Sequence, residues 1–346
     1  MKLSDIISGP WAITTESLIE IQGIYATHLR GDKIDIAKVS AALGRPLANS
    51  QQGSQIVDGV AVISINGTIA KKMNLMSEIS GGCSSQLTAN DISTAINDPA
   101  VKGIVLNIDS PGGTVDGTSE LADIIYQARG TKPIVAFSDG MIASAAYWIA
   151  SACDSIYISG NTNPVGSIGV VSAHKDYSGY ESNQGIKTTE ITAGSYKRVA
   201  SSHEPLTADG RADIQSKVDY LYGVFVDTVA RNRGTTPKRV LSDMADGRVF
   251  LGSQAVKAGL VDGVSTLSTI IADMQAGRLI RRQAVAAAPT VTARPTFSIT
   301  LKPATPATVA TPREDPIERQ RVISSIASGG LPPEPPAYTG QPVRTH

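Results

Sequence analysis

The chain has few features that would commit it to a special environment. Only two of its 346 residues are cysteines, Cys83 and Cys153, which excludes a disulfide framework and a cysteine metal site, so we expect buried or reduced thiols. No apolar run reaches the roughly 18 residues of a membrane-spanning helix, and the N-terminus lacks the apolar core of a secretion signal. Basic and acidic residues each total 31, so net charge gives no reason to expect nucleic acid or a membrane as a partner. We therefore expect a cytoplasmic protein with no metal or cofactor.

The distribution of apolar and turn residues predicts three parts of the chain. Residues 1–55 form a leader, with helical periodicity at 17–28 and 35–43. Residues 56–276 form a compact body. Residues 277–346 form a tail that contains eleven of the chain's 19 prolines. Because such a segment buries too little apolar surface to offset its ordering entropy, we expect the tail to be disordered.

Strands alternate with helices through the predicted body. Apolar runs of four to six residues, bounded by turn residues, predict strands at 60–65, 103–108, 133–137, 155–158, 167–171 and 187–192. Amphipathic periodicity predicts helices at 84–97, 119–129 and 208–233. This alternation predicts an α/β fold with a mostly parallel sheet and surrounding helices.

Ser144 and Lys197 are the candidate catalytic pair. Ser144 lies in a stretch of small and apolar residues, 140–149, that is predicted to begin a buried helix. Lys197 lies 53 residues later, after the predicted strand at 187–192. A serine hydroxyl needs a base, and a lysine amine acts as one only when burial lowers its pKa and keeps it neutral. The pair predicts a serine peptidase with a Ser–Lys dyad.

A glycine-rich turn precedes both residues. The sequence Ser-Pro-Gly-Gly-Thr-Val at 110–115 separates a predicted strand from a predicted helix. Glycines there allow backbone N–H groups to face a ligand, and the helix N-terminus adds partial positive charge. We predict an oxyanion hole in which the N–H of Gly113 is one donor and the N–H of Ala145 is the other.

The motifs at 110–113, 141–148, 166–170 and 194–197 together resemble the signal peptide peptidase A (protease IV) family. The resemblance covers residues 57–274 and implies the crotonase/Clp-protease-like superfamily fold. It also implies Ser144 as nucleophile, Lys197 as general base, and Ser167 as the residue that hydrogen-bonds and orients the lysine amine. In that family the serine and lysine of one site can come from neighbouring subunits, so we expect a homo-oligomer with interior-facing sites.

Within that family the chain is similar to the head maturation proteases of lambda-like phages. The similarity lies in residues 172–179, Ser-Ala-His-Lys-Asp-Tyr-Ser-Gly, and in the polar leader. It implies a prohead protease that cleaves scaffold, portal or capsid proteins in the host cytoplasm or inside a prohead. One departure is Ser144-Ala-Ala-Tyr147 where many members have Ser-Gly-Gly-Tyr, which narrows the space near the scissile bond.

A histidine base is the rival mechanism. The alternative is a Ser–His–Asp triad in which His174 or His203 is the base and Asp176 or Asp213 is its partner.

Three other functions are also open. The first is a host-type signal peptide peptidase that degrades peptides. The second is a catalytically idle, scaffold-like structural subunit, against which the joint presence of Ser144, Lys197 and the glycine turn argues. The third is acyl-CoA chemistry on a crotonase-type fold with Asp116 or Glu120 as the acid, which would leave the Ser–Lys pair unexplained.

Overall fold

The computed structural model describes residues 9–29, 53–72 and 82–279 of the chain. The strands are β1 (Trp11–Ile13), β2 (Gln55–Val57), β3 (Val60–Asn66), β4 (Thr68–Ala70), β5 (Gly82–Ser84), β6 (Gly103–Asp109), β7 (Gly112–Thr114), β8 (Ile134–Ser138), β9 (Ile142–Ala143), β10 (Ser155–Ile158), β11 (Pro164–Gly166), β12 (Val249–Leu251) and β13 (Gly263–Val264). The helices are α1 (Thr15–Leu29), α2 (Ser85–Asn97), α3 (Thr118–Ala128), α4 (Ala145–Ser151), α5 (Ser178–Asn183), α6 (Ala208–Arg233), α7 (Pro237–Asp243), α8 (Ser253–Ala258) and α9 (Leu267–Gln275). In these three ranges, no helix is both long enough and apolar enough to cross a lipid bilayer. The predicted helix at 35–43 and the predicted tail beyond residue 279 lie outside the described residues.

Six strands form the central sheet, in the order β13, β10, β8, β6, β3 and β2. Every neighbouring pair is parallel except β2 and β3, which pair antiparallel. Alternate residues of β6 enter two different core clusters: Leu106 packs with residues of α2, α3, α4 and α6, whereas Val105 packs with Ile270 and Met274 of α9. Because both faces of the sheet are buried, β3, β6 and β8 are nearly continuous apolar runs. This topology confirms the predicted α/β fold with a mostly parallel sheet.

Two smaller sheets lie where the chain leaves the central strands. Strands β4, β7, β9 and β11 follow the central strands β3, β6, β8 and β10 in sequence. One small sheet has the order β1, β7, β4, β5, and the other has the order β12, β11, β9. In open sheets of parallel strands, ligand sites lie at the carboxyl ends of the strands. The small sheets therefore mark this edge as the place to look for a functional site.

Two of the predicted strands are wrong. Residues 187–192 have no regular secondary structure and are almost entirely exposed. No strand spans 167–171, because the preceding strand, β11, ends at Gly166. Within 167–171, Val171 forms one isolated β-bridge, to Trp11. The backbone at Ser167 takes a φ of 52°, which a strand cannot continue through.

Candidate active site

Ser144 lies at a sharp turn from a strand into a helix. It follows β9 directly and precedes α4, and its backbone has φ 54° and ψ −116°. Its N–H donates to the Gly166 carbonyl at 2.7 Å, and the residue is 1% exposed. A non-glycine residue held in this conformation is strained, and such residues cluster at active sites. Ala143, Ala145 and other small neighbours are fully buried, so the tight packing around the turn depends on their size.

The glycine turn packs against Ser144. Gly112 has a φ of 108°, and a Cβ added there would lie 3.0 Å from Ser144 Cβ. A Cβ on Gly113 would overlap the backbone carbonyl of Ile69 in β4. The buried Ser110 fixes the turn, since its hydroxyl donates to the Gly67 carbonyl at 2.6 Å and accepts from the Gly112 N–H at 3.2 Å. The absence of a side chain at Gly112 therefore allows the backbone to approach the serine, and its absence at Gly113 allows the turn to approach β4.

The two predicted oxyanion donors come from different elements, α4 and β7. Ala145 is the first residue of α4, so its N–H is among the four that a helix leaves without an intrahelical acceptor. Gly113 lies in β7 and is paired across an antiparallel ladder with Ala12 of β1. The sequence did not predict β1, because a three-residue strand has no measurable periodicity.

Ser167 lies next to the backbone that binds Ser144. It directly follows Gly166, the residue whose carbonyl accepts the Ser144 N–H. Ser167 is 8% exposed, has a φ of 52°, and donates its own N–H to the Arg248 carbonyl at 2.8 Å. The structure thus brings Ser144, Ala145, Ser167 and the glycine turn together.

Lys197 is not part of this cluster in a single chain. It lies in a turn between α5 and α6, its N–H donates to the Gly194 carbonyl at 3.1 Å, and its side chain is exposed. Throughout residues 9–29, 53–72 and 82–279, no hydrogen bond or ion pair joins its amine to Ser144 or Ser167. One copy of the chain therefore does not assemble the predicted dyad.

Lys197 belongs to a folded arm, defined here as residues 174–206. The Tyr177 N–H donates to the Ser202 carbonyl at 2.7 Å, and His203 Nδ1 lies 2.6 Å from a Glu181 carboxylate oxygen. The arm nevertheless exposes large apolar residues. Ile191 is 96% exposed, and more than half of the surface is exposed in each of Tyr180, Ile186 and Tyr196. A cluster of exposed apolar side chains on an ordered segment is typical of an interaction surface.

The rival catalytic groups are engaged elsewhere. His174 Nε2 lies 2.9 Å from the Ser201 carbonyl oxygen, so both histidines of the rival triad bind within the arm. Asp116 forms an ion pair with Lys71 at 2.9 Å. In that pair, the hydrogen bond and charge of Asp116 raise the pKa of Lys71. These contacts favour structural roles for His174, His203 and Asp116 over roles in a Ser–His–Asp triad or in acyl-CoA chemistry.

Buried contacts that no local sequence pattern predicts hold α4 in place. Tyr147 donates its hydroxyl to the Leu260 carbonyl at 2.9 Å, and burial raises the pKa of Tyr147 to about 12. Trp148 stacks on Phe225 of α6 with ring centroids 4.3 Å apart. Arg129 binds backbone carbonyls at the end of α4. Each partner lies far away in sequence, so no local pattern links these residues.

Comparison with known proteins bears on the family and the fold. The sequence profile described as Peptidase family S49 matches residues 127–281, and the profile described as Clp protease matches residues 59–159. The second match covers the first central strands and confirms the predicted Clp-protease-like fold. Among solved structures, the ClpP protease catalytic domain from Plasmodium falciparum aligns over 59% of this chain and 85% of that chain, with 14% identity and a TM-score of 0.36. A similarity this low adds nothing to the fold assignment.

Similar proteins come from phages and from bacteria. Head-tail preconnector protein GP5 of Enterobacteria phage P21 is 33% identical over 220 residues, which are 64% of this chain and 43% of that protein. Capsid assembly protease C of Escherichia phage lambda is 33% identical over 208 residues, 60% of this chain and 47% of that protein. Protease 4 of Salmonella typhi is 30% identical over 214 residues, 62% of this chain and 34% of that protein. The chain spans less than half the length of these three relatives. Residues 127–281, which include Ser144, Ser167 and Lys197, carry the match to peptidase family S49, the signal peptide peptidase A family.

Proposed function

We propose that this protein is a serine endopeptidase in which Ser144 is the nucleophile and Lys197 of a neighbouring copy is the general base. The observation that carries the proposal is the strained turn at Ser144, packed against the glycine turn and Ser167. A residue that strains its backbone while its neighbours fix its position is a typical nucleophile.

The proposed chemistry needs no metal or cofactor. The neutral Lys197 amine takes the Ser144 proton as Oγ attacks a peptide carbonyl. The resulting ammonium gives this proton to the departing amine as the peptide C–N bond breaks, which leaves an acyl-enzyme and a neutral Lys197. The N–H groups of Gly113 and Ala145 stabilise the oxyanion, at about 3 kcal/mol per donor in comparable sites. The same amine then activates water to release the acyl group, while Ser167 orients it. We expect activity to rise toward alkaline pH, because only the unprotonated amine is a base.

The arm supports a site shared between copies. Lys197 is exposed on a segment whose large apolar side chains, Ile191 above all, are also exposed. A second copy that covered these side chains would bury them and would remove the lysine amine from water, which favours the neutral form. We therefore propose a homo-oligomer whose sites are completed across the subunit interface.

For the substrate, we propose proteins of phage head assembly. The support is the likeness to a capsid assembly protease and to a head-tail preconnector protein, both from phages. Scaffold, portal and capsid proteins are the candidate substrates, cleaved in the host cytoplasm or in a prohead. Degradation of free signal peptides is the second candidate, which the likeness to Protease 4 favours. Incubation with a prohead preparation and with free signal peptides distinguishes the two.

Hydrolysis of an unstructured protein such as β-casein by the purified full chain tests the activity. We expect Ser144→Ala and Lys197→Ala each to abolish cleavage, while circular dichroism stays unchanged. Lys187→Ala is the matched control, because Lys187 is an exposed lysine of the same arm with no proposed role. Near-normal turnover by Lys197→Ala would contradict the proposal.

A further inference from the structure

A strand of the chain itself lies against Ser144. Strand β1 pairs antiparallel with β7, with Trp11 opposite Thr114 and Ala12 opposite Gly113. On its other edge, Trp11 exchanges two backbone hydrogen bonds with Val171, each 2.8 Å long. Strand β1 is therefore held between the glycine turn on one side and the segment after Ser167 on the other.

The register of this ladder determines which atoms meet. Residues of an antiparallel strand direct their backbone groups alternately to one edge and the other. The groups of Trp11 face Val171, and the Thr14 N–H donates to the Pro111 carbonyl on the opposite edge at 3.0 Å. Ala12 thus faces Gly113 as a hydrogen-bonded pair, in which the Gly113 N–H donates to the Ala12 carbonyl. That N–H is the one proposed above as an oxyanion donor.

The Ala12 carbonyl also lies beside the proposed nucleophile. A Cβ built on Gly112 would meet the Ala12 carbonyl oxygen and would lie 3.0 Å from both Ile13 Cα and Ser144 Cβ. The peptide bond between Ala12 and Ile13 and the serine side chain therefore line the same small space. A peptide substrate of this site needs the same space, the same N–H and the same strand edge.

We propose that β1 is a built-in pseudosubstrate: it occupies the peptide-binding groove beside Ser144, and it must leave before a substrate strand enters. The proposal rests on the proposed function for the identity of the groove. It adds that the chain regulates access to its own site through residues 11–13.

The contacts that hold β1 are suited to release. Trp11 and Ile13 are nearly fully buried, but they form a small cluster with Leu18 and Ile21 of α1 that is separate from the main core. Of β1, only the small side chain of Ala12 packs in the main core. Val171 is the one partly buried hydrophobic residue of the described chain that packs against this cluster. Elements with few core contacts open at lower free energy than the central sheet. Strand β1 and α1 can therefore leave the groove without unfolding the body.

Peptide binding to the full chain tests the proposal without any need for catalysis. The probe is a fluorescein-labelled peptide with the sequence of residues 9–15, measured by fluorescence polarisation in the Ser144→Ala background. Adding Trp11→Asp with Ile13→Asp should displace β1 and tighten binding about tenfold or more, where tenfold corresponds to about 1.4 kcal/mol. The control is Ile19→Asp, because Ile19 lies in α1 but is 64% exposed; it should leave the affinity unchanged. Equal affinity in the displaced and control variants would overturn the proposal.

Hydrogen exchange shows whether the displaced variant remains folded. The Gly113 amide, which faces β1 in this register, should lose protection when β1 leaves, whereas amides of β3 and β6 should keep it. Unchanged protection of the Gly113 amide in a variant that remains folded would also overturn the proposal. The two proposals can also fail separately. If displacement of β1 tightens peptide binding, but the protein with Ser144 intact hydrolyses nothing, then β1 competes with peptides for the groove and the proposed peptidase activity is rejected.

Discussion

Replacement of Arg129 by methionine should be among the most damaging single changes to the body. Arg129 is 7% exposed, and its guanidinium donates to the carbonyls of Ser151, Ala152, Cys153 and Asn232 at 2.5–3.1 Å. Three of these carbonyls lie at the end of α4, the helix that begins just after Ser144, and the fourth lies near the end of α6. One buried cation therefore caps the negative ends of two helices at once.

The expected loss of stability follows from the number of buried carbonyl acceptors that lose their donor. Each buried carbonyl that loses its donor costs about 1–3 kcal/mol. Neighbouring losses do not add in full, because the structure relaxes and water enters, so we expect Arg129→Met to lower the free energy of unfolding by about 3–5 kcal/mol. Methionine keeps most of the aliphatic volume, so the loss reports on the hydrogen bonds rather than on a cavity.

Arg231→Met is the matched control for this measurement. Arg231 lies over the ring of Tyr126 at 4.4 Å, as Arg129 does at 4.6 Å, but its ion pair with Asp123 is exposed. Exposed ion pairs and cation–π contacts contribute about 1 kcal/mol or less each. Urea unfolding followed by circular dichroism gives both values. A loss for Arg129→Met within about 1 kcal/mol of the loss for the control would refute the proposed role of the buried cap.

Three further predictions concern buried groups around the site. Burial raises the pKa of Cys83 to about 12 and that of Cys153 well above its usual range. Because the thiols of the unfolded chain ionise at lower pH than the buried ones, the free energy of unfolding should fall as pH rises above about 9. In urea titrations at several pH values, Cys83→Ala should make this fall with pH less steep. Tyr147→Phe leaves the Leu260 carbonyl without its donor and should cost about 1–3 kcal/mol in the same assay; a neutral result would show that another donor reaches that carbonyl. Gly113→Ala places a Cβ on the backbone of β4 and should cost about 1–3 kcal/mol of stability. The displaced turn should also lose nearly all cleavage of β-casein; a fully active variant would show that catalysis does not depend on the close approach of this turn to β4.

The sequence predicted those elements that depend on local signals. The helix predicted at 84–97 is present as α2 because Ser84 caps it, accepting the Leu87 N–H at 3.3 Å. The helix predicted at 208–233 matches α6, which begins after the cap Thr207 and ends at the left-handed Gly234. Strands β3, β6 and β8 were predictable because burial on both faces requires long apolar runs.

The elements that failed or were missed depend on distant partners. Residues 187–192 combine threonine and isoleucine, which favour strands, but strand propensity has no effect without a neighbouring strand to pair with. Strand β1 has only three residues and forms because the edge of β7 accepts it. The position of Ser144 was predictable from its small-residue context, whereas the place where Lys197 acts depends, in our proposal, on a second copy of the chain.

The most direct test of the shared dyad is a mixture of two inactive variants. Ser144→Ala and Lys197→Ala are unfolded together, mixed in equal amounts, refolded into mixed oligomers and assayed on β-casein. If each site takes its serine from one copy and its lysine from the next, random mixing regenerates about one quarter of the sites, and about one quarter of wild-type activity should return. Refolded mixtures with normal oligomeric size and no recovered activity would contradict the account.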